Sequence, residues 1–253
     1  MSRWIIERID DVSVVTMTSS KVNAMDDDFF SDLQAAMAEL QSGEPLPIVL
    51  TGTRTCFSAG LNLLELYEFD RTTLTAFVDR LGETMLAWFS LPRPTIAAVN
   101  GHAIAGGCVL ALSCDLRIVS DADIQLGLNE VQVGIPFPSV PLEITRHALS
   151  PDRVREVMLT GALYTPTEAL SRGLVDEVVE PDALLSRAIA IARTIARDSL
   201  PAFATIKTHL VSPALDRIAA NRDRVDREFL DVWFGEPARR QMGEVRARLL
   251  SRH

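Results

Sequence analysis

Apolar and polar positions alternate with two different periods along the first half of the chain. Residues 4–17 alternate on either side of Asp10 and Asp11, which predicts two strands joined by a turn. Asp26 or Asp27 then provides a cap for a helix, because apolar residues follow at helical spacing. These apolar residues are Phe30, Leu33, Met37 and Leu40.

Strands and helices continue to alternate as far as residue 120. Residues 47–52 and 94–101 are short apolar runs that predict buried strands, and residues 72–90 between them predict a helix. A glycine-rich helical segment follows, and residues 116–120 predict a further strand. This order indicates βαβ units, so the chain is predicted to be an α/β protein with a largely parallel sheet.

From about Asp152 the pattern becomes mostly helical. Residues 166–179 predict a helix that ends at Gly173 and is followed by a short strand. Further on, apolar side chains recur on one helical face and need a partner surface, either the protein's own core or a neighbouring subunit. They are Leu215, Ile218, Val225, Phe229, Val232 and Trp233.

Composition and charge narrow the range of functions. The chain has 253 residues, of which 47% are hydrophobic and 23% charged, as in an ordinary globular protein. A net charge of −9 argues against a nucleic acid or an anionic membrane as partner. Cys56, Cys108 and Cys114 lack the spacing of metal ligands and indicate a reducing compartment. With no leader-like segment and no apolar run of about eighteen residues, we expect a soluble, cytoplasmic protein.

Two glycine-containing turns follow buried strands. The strand that ends at residues 100–101 leads to a helix that opens at residues 106–107, and residues 58–60 form a second turn of small residues. A helix that starts on glycine presents free backbone N–H groups that a ligand oxygen can approach closely. Two such turns at one end of a parallel sheet can direct two N–H groups at one oxygen, as in an oxyanion hole. The alternative is that both are only tight connections.

Several segments together resemble the crotonase (enoyl-CoA hydratase/isomerase) superfamily. The strongest are "FSAGLNL", "VNGHAIAGGCVLALSCDLRI" and "GLNEVQVGI", in that order along the chain. The likeness extends from "SSKVNAM" near the start to "LTGALYTPTEALSRGLVDEVV" in the second half. It therefore covers nearly the whole chain.

The resemblance implies a fold and an assembly. It implies a crotonase-like spiral core of repeated ββα units, here residues 1–190, and a helical C-terminal trimerisation region, residues 191–253. We therefore expect a homotrimer or a dimer of trimers.

The resemblance also implies a binding site for an acyl-CoA thioester. The backbone N–H groups of Ala59 and Gly106 would hold the thioester carbonyl oxygen. Coenzyme A would be part of the substrate, so no cofactor and no metal is expected. The residues implied to line the coenzyme A and acyl channel are Ala59, Gly60, Leu61, Asn62, Leu63 and Gly106.

The carboxylates select the reaction. Hydratases of this superfamily carry one Glu directly after "GGC" and a second after the next strand, and here these positions hold Val109 and Glu130. Valine can neither accept a proton nor position a water molecule. A single carboxylate is sufficient to take a proton from C2 of a 3-enoyl-CoA and return it at C4. The pattern closely resembles mitochondrial-type Δ3,Δ2-enoyl-CoA isomerases, and burial beside the apolar residues 133–144 would raise the pKa of Glu130.

Other residues are weaker candidates for catalysis. His102 is predicted to be a loop or packing residue, and Asp115 a structural partner of backbone or arginine. Cys108 has apolar neighbours and is predicted to be an inert thiol. Glu143 is a possible second carboxylate, although its position predicts the start of a helix.

Four alternatives remain open at this stage. Glu130 could be a surface carboxylate, and Lys21 and Lys207 could either contact the phosphates of coenzyme A or be solvated charges. The chain could be a hydratase, lyase or hydrolase of the same superfamily that uses another carboxylate. It could also be a non-catalytic binding protein with this fold.

Overall fold

The computed structural model describes residues 4–53, 55–195, 197 and 199–251. Its strands are β1 (Ile5–Ile9), β2 (Val12–Thr16), β3 (Ile48–Thr51), β4 (Cys56–Ser58), β5 (Thr95–Val99), β6 (His102–Ile104), β7 (Leu116–Ser120), β8 (Leu126–Gly127), β9 (Leu163–Tyr164) and β10 (Glu177–Val179). Its α-helices are α1 (Asp27–Ser42), α2 (Leu63–Leu66), α3 (Arg71–Phe89), α4 (Gly106–Leu112), α5 (Glu130–Val133), α6 (Ser139–Ala148), α7 (Pro151–Thr160), α8 (Pro166–Ser171), α9 (Leu184–Thr194), α10 (Leu200–Trp233) and α11 (Glu236–Leu250).

The strands form two sheets. The larger has the order β1-β2-β3-β5-β7-β10, in which only β1 and β2 pair antiparallel. The smaller has the order β4-β6-β8-β9, in which β8 and β9 pair antiparallel. Three couples of consecutive strands alternate between the two sheets: β3 then β4, β5 then β6, and β7 then β8. In each couple the first strand belongs to the larger sheet and the second to the smaller, and a helix follows. This succession of ββα units confirms the predicted α/β spiral fold with a helical C-terminal region.

Caps and turns fix several element boundaries. Asp26, the first of the two predicted caps, accepts a hydrogen bond from the backbone N–H of Phe29 at 2.8 Å. The helix expected at 72–90 is α3, which Asp70 caps. Helix α8 ends before Gly173, whose positive φ of +74° suits a residue without a Cβ.

The C-terminal helices partly cover the core. From the apolar face predicted on α10, the side chains of Ile218, Phe229 and Trp233 are buried in the protein's own core, whereas Val232 is 46% exposed. The boundary predicted at residue 190 lies within α9, and both the division into two parts and trimerisation stay predictions. Within the described ranges, no helix is both long and apolar enough to span a membrane.

Candidate active site

The two predicted glycine turns lie against each other. A Cβ on Gly107 would be 2.1 Å from the carbonyl oxygen of Ser58, so only glycine fits there. A Cβ on Gly106 would be 3.5 Å from the α-carbon of Gly60 and 3.9 Å from the backbone nitrogen of Leu61. Ala105, which precedes α4, has a positive φ of +52°, so the backbone turns sharply before the first helical N–H group. The start of α4 and the turn after β4 therefore form one site.

Backbone pairing with Met25 determines which N–H groups of the second turn are free. The N–H group of Met25 donates to the carbonyl of Gly60 at 2.8 Å, and that of Asn62 donates to the carbonyl of Met25 at 2.9 Å. In this parallel bridge, the N–H group of Leu61 points to the opposite side. Among the described residues it has no acceptor, and neither has the N–H group of Gly106.

The N–H group of Ala59, expected from the resemblance to be a donor, has another partner. It donates to the carbonyl of Val22 at 3.0 Å. Of the two donors expected from the resemblance, only that of Gly106 is free in the part of the chain that the structure describes, and Leu61 provides the free N–H group of the second turn. Sequence alone could not show this difference, because it depends on the pairing of the turn with Met25 and Val22.

Glu130 is the first residue of α5 and is buried. Its side chain is 7% exposed, and Oε2 has no hydrogen-bond partner within the described part of the chain. Burial raises the pKa of Glu130 to about 8. A buried carboxyl group that is protonated near neutral pH and unpaired in the protein is suited to exchange a proton with a ligand.

The raised pKa of Glu130 predicts a pH-dependent stability. The unfolded chain ionises this group near 4.5, whereas the folded protein keeps the proton to about 8. Between these values the folded state binds more protons, so the free energy of unfolding falls as pH rises, by at most about 1.4 kcal/mol per pH unit. We expect Glu130→Gln to lose this dependence, since an amide cannot ionise.

The measurement is the thermal unfolding midpoint of both proteins from pH 5 to pH 9. The pH-dependent part of the difference in unfolding midpoint, Glu130→Gln minus wild type, should grow up to a pH of about 8. Above that pH it should stay constant. A difference that does not change with pH would contradict the raised pKa.

Two adjoining cavities bring the predicted residues together. One, of about 310 Å³, is lined by Ala59, Leu61, Asn62, Leu63 and Glu130 among others. A smaller one, of about 30 Å³, is lined by both free donors and by Glu130, and Val109 forms part of its wall. A Cβ on Gly60 would lie 2.9 Å from the backbone nitrogen of Gly106, so Gly60 is next to this donor. The small cavity, named here the inner pocket, therefore has two N–H donors and one carboxyl group around a single space.

Helix α11 covers the 310 Å³ cavity, which the sequence did not predict. Val245 and Leu249 line this cavity from above. The helix is held in place by Tyr67, which follows α2. Arg239 donates a hydrogen bond to the Tyr67 carbonyl at 2.7 Å, and its guanidinium stacks on the Tyr67 ring, 3.6 Å from the ring centre. Arg246 approaches the same ring at 5.4 Å. The i, i+4 spacing of Val245 and Leu249 was the only sequence signal, and it does not show which surface they contact.

Three of the weaker candidates have structural contacts. His102 accepts a hydrogen bond from the N–H group of Gln125 at 3.0 Å, as a packing residue would. Cys108 is buried, which raises the pKa of its thiol to about 12 and makes it inert, as predicted. Glu143 is buried beside Arg146 and Arg217 and lines a different cavity, so it does not face the inner pocket.

The prediction for Lys207 was wrong. Its side chain is only 6% exposed and contacts Asp115 at 2.9 Å, so it is neither a solvated charge nor a contact for coenzyme A. Asp115 also accepts a hydrogen bond from the N–H group of Thr95 at 2.8 Å, which confirms its structural role, although its charged partner is a lysine. Lys21 is exposed, as expected of a solvated charge, and a contact with the phosphates of coenzyme A is untested.

Comparisons with known proteins show both hydratase and isomerase relatives. The family model described as Enoyl-CoA hydratase/isomerase matches residues 7–243. A probable enoyl-CoA hydratase of Rhizobium meliloti is 32% identical over 230 residues, 88% of this chain and 86% of the relative. Enoyl-CoA delta isomerase 1, mitochondrial, of Rattus norvegicus is 31% identical over 183 residues, 71% of this chain but only 63% of the relative. The crystal structure of human mitochondrial delta3-delta2-enoyl-CoA isomerase matches with a TM-score of 0.92 and 26% identity over 99% of both chains.

Proposed function

Because the chain belongs to the enoyl-CoA hydratase/isomerase family, whose members act on acyl-CoA thioesters, we propose that it moves a double bond from position 3 to position 2 of an enoyl-CoA. The observation that carries this proposal is the inner pocket. Among its described lining residues Glu130 is the only carboxylate, and it lies with the two free N–H donors of Leu61 and Gly106. One base and two hydrogen-bond donors are sufficient to move a proton from C2 to C4 through an enolate intermediate.

The proposed reaction has two proton transfers. The thioester oxygen accepts hydrogen bonds from the N–H groups of Leu61 and Gly106, and ionised Glu130 removes a proton from C2. The C2–H electron pair moves into a dienolate whose negative charge the two donors stabilise. Protonated Glu130 then returns the same proton to C4, so the double bond moves to C2–C3 and no water or cofactor is consumed.

Hydration is the second candidate reaction, because relatives with hydratase names match the chain equally well. It needs a second group that holds and activates water. In the 310 Å³ cavity, as in the inner pocket, the described lining contains no carboxylate besides Glu130. Val109 is fully buried in the wall of the inner pocket. These observations favour isomerisation.

A binding function without catalysis is less well supported. A buried carboxyl group with an unpaired oxygen lowers the stability of the fold, so a purely structural role does not account for it. The proposal includes a trimer or a dimer of trimers, since the family is typically oligomeric. A cytoplasmic location also stays a prediction.

The direct test uses three thioesters of the same chain length. We expect 3-enoyl-CoA to develop the absorbance of a conjugated thioester when the protein is added. We expect 3-hydroxyacyl-CoA to develop none, and 2-enoyl-CoA to keep its absorbance rather than lose it to hydration. Absorbance gained from 3-hydroxyacyl-CoA would show a hydratase or dehydratase instead.

The missing second carboxylate predicts weak hydration. We expect the hydration rate with 2-enoyl-CoA to be at least roughly a hundredfold below the isomerisation rate, since one acid–base group contributes about that factor or more. Val109→Glu places a carboxylate in the wall of the inner pocket and should raise hydration. The matched control is Val109→Gln, which has the same shape without the charge and should not.

The hydration rates of the wild type, Val109→Glu and Val109→Gln are measured from the amount of 3-hydroxyacyl-CoA that each forms. A wild-type hydration rate close to the isomerisation rate would contradict the proposed reaction. Equal hydration by the Glu and Gln variants would show that the water site is closed.

A further inference from the structure

The inner pocket lies between two larger cavities. It shares Leu61, Glu130 and Ile135 with the 310 Å³ cavity, where the coenzyme A moiety would enter. It also shares residues with a cavity of about 920 Å³ that lies between α5, α6, α7 and α10. These shared residues are Ile135, Pro136, Phe137 and Phe229. They form a partition between the inner pocket and the 920 Å³ cavity.

We propose that Phe137 and Phe229 limit the length of the acyl chain, so that this protein acts on short-chain enoyl-CoA thioesters. The inference rests on the proposed function, because it assigns the inner pocket to the acyl chain. The reacting carbon atoms would lie where the 310 Å³ cavity meets the inner pocket, beside Leu61 and Glu130, which line both cavities. Carbon atoms beyond C4 would then enter the inner pocket and meet the partition.

The size of the inner pocket supports a short chain. At about 30 Å³, it has room for about one or two groups the size of water or methylene. Leu81 and Met85 enclose it further, and both are almost completely buried. A longer chain would have to displace packed side chains, which protein interiors resist.

The 920 Å³ cavity could hold a long chain if the partition were opened. Leu142, Val154 and Met158 give it apolar surface, and Phe137 lines the same cavity. Each methylene that gains full apolar contact strengthens binding by about fourfold. The partition, rather than a lack of apolar volume in the fold, therefore sets the limit.

Phe137 is the better residue to change. Pro136 and Pro138 flank it, and their restricted φ angles hold the backbone that carries the ring. Phe137 is only partly buried, whereas Phe229 is 1% exposed and packs on Trp233 with ring centres 5.6 Å apart. Truncation at Phe137 thus opens the partition with less damage to the core.

The test compares 3-hexenoyl-CoA with 3-decenoyl-CoA. We expect the wild type to prefer the six-carbon substrate in kcat/KM by at least roughly tenfold, and Phe137→Ala to lose that preference. Leu159→Ala is the matched control: Leu159 also lines the 920 Å³ cavity but is 73% exposed and not part of the partition, so the preference should stay. Phe229→Leu should change it in the same direction as Phe137→Ala.

Binding separates this inference from the proposed reaction. The dissociation constants of saturated hexanoyl-CoA and decanoyl-CoA, measured by calorimetry, need no turnover. If Phe137→Ala binds decanoyl-CoA more tightly relative to hexanoyl-CoA than the wild type does, the result supports the partition even if isomerisation is not found. A wild type that prefers the ten-carbon thioester, or a folded Phe137→Ala variant with an unchanged preference, would overturn it.

Discussion

Replacement of Glu130 by Gln is expected to lower kcat for isomerisation by roughly two to four orders of magnitude and to leave the affinity for acyl-CoA nearly unchanged. The amide cannot take the C2 proton, and the described lining of the inner pocket offers no other carboxylate. Binding depends instead on the N–H donors and the apolar walls, which the substitution keeps. The measurements are single-turnover rates and the dissociation constant of a saturated thioester.

The pH profile gives a second check on Glu130. Only the ionised carboxylate accepts a proton, so kcat/KM of the wild type should rise with pH and level off above a pH of about 8. Glu143→Gln serves as the comparison, because Glu143 is the other buried glutamate in the described part of the chain but contacts Arg146 and Arg217. The Glu143→Gln variant should be less stable than the wild type but should keep the same pH dependence of kcat/KM. More than roughly a tenth of wild-type activity in Glu130→Gln would place the base elsewhere.

Gly60→Ala is expected to reduce kcat by roughly two to three orders of magnitude, the usual effect of losing one oxyanion donor. The new methyl group would lie 2.9 Å from the backbone nitrogen of Gly106 and 2.8 Å from the carbonyl oxygen of Ile104. It would therefore cover or displace the Gly106 N–H group. The affinity for a saturated thioester should fall less than kcat, because the negative charge develops only during the reaction.

Gly173→Ala is the matched control for backbone strain. Gly60 has a φ of +79° and Gly173 a φ of +74°, but nothing lies within 4 Å of a Cβ on Gly173. Gly173→Ala should lose about 1 kcal/mol of stability because of its positive φ. Gly60→Ala should lose more, because its methyl group also clashes with backbone atoms, and only Gly60→Ala should lose activity. If the two variants retain equal activity, the Gly106 N–H group is not a donor to the substrate.

Local patterns were sufficient to predict an α/β chain with a largely parallel sheet, and the resemblance added the spiral core and the residues of the candidate site. The two periods of apolar residues indicated the strands and helices, and the small residues before α2 and α4 indicated turns that contact each other. Glu130 was identified through the resemblance, because it matches the second glutamate of the hydratase pattern while Val109 replaces the first. Each of these signals lies within a short stretch of the chain.

Features that depend on distant contacts were not predictable. Leu61 has a free N–H group because Met25, far away in the sequence, pairs with the residues on either side of it. Lys207 is buried because Asp115 lies opposite it in space. The same holds for α11, whose position over the cavity is fixed by contacts with Tyr67. No period or motif in one segment encodes such pairings.

The two proposed donors belong to the main chain, and this affects how the site can evolve. A change of side chain at Leu61 leaves its N–H group in place unless the new residue is proline. Glu130 and Val109, by contrast, can each gain or lose a carboxylate through one substitution. In the proposed site, the polarisation of the thioester therefore tolerates side-chain changes at Leu61 but not at a packed glycine such as Gly60, whereas the proton chemistry depends on the identity of single side chains. A small number of codon changes could give this scaffold a new reaction on the same class of thioester.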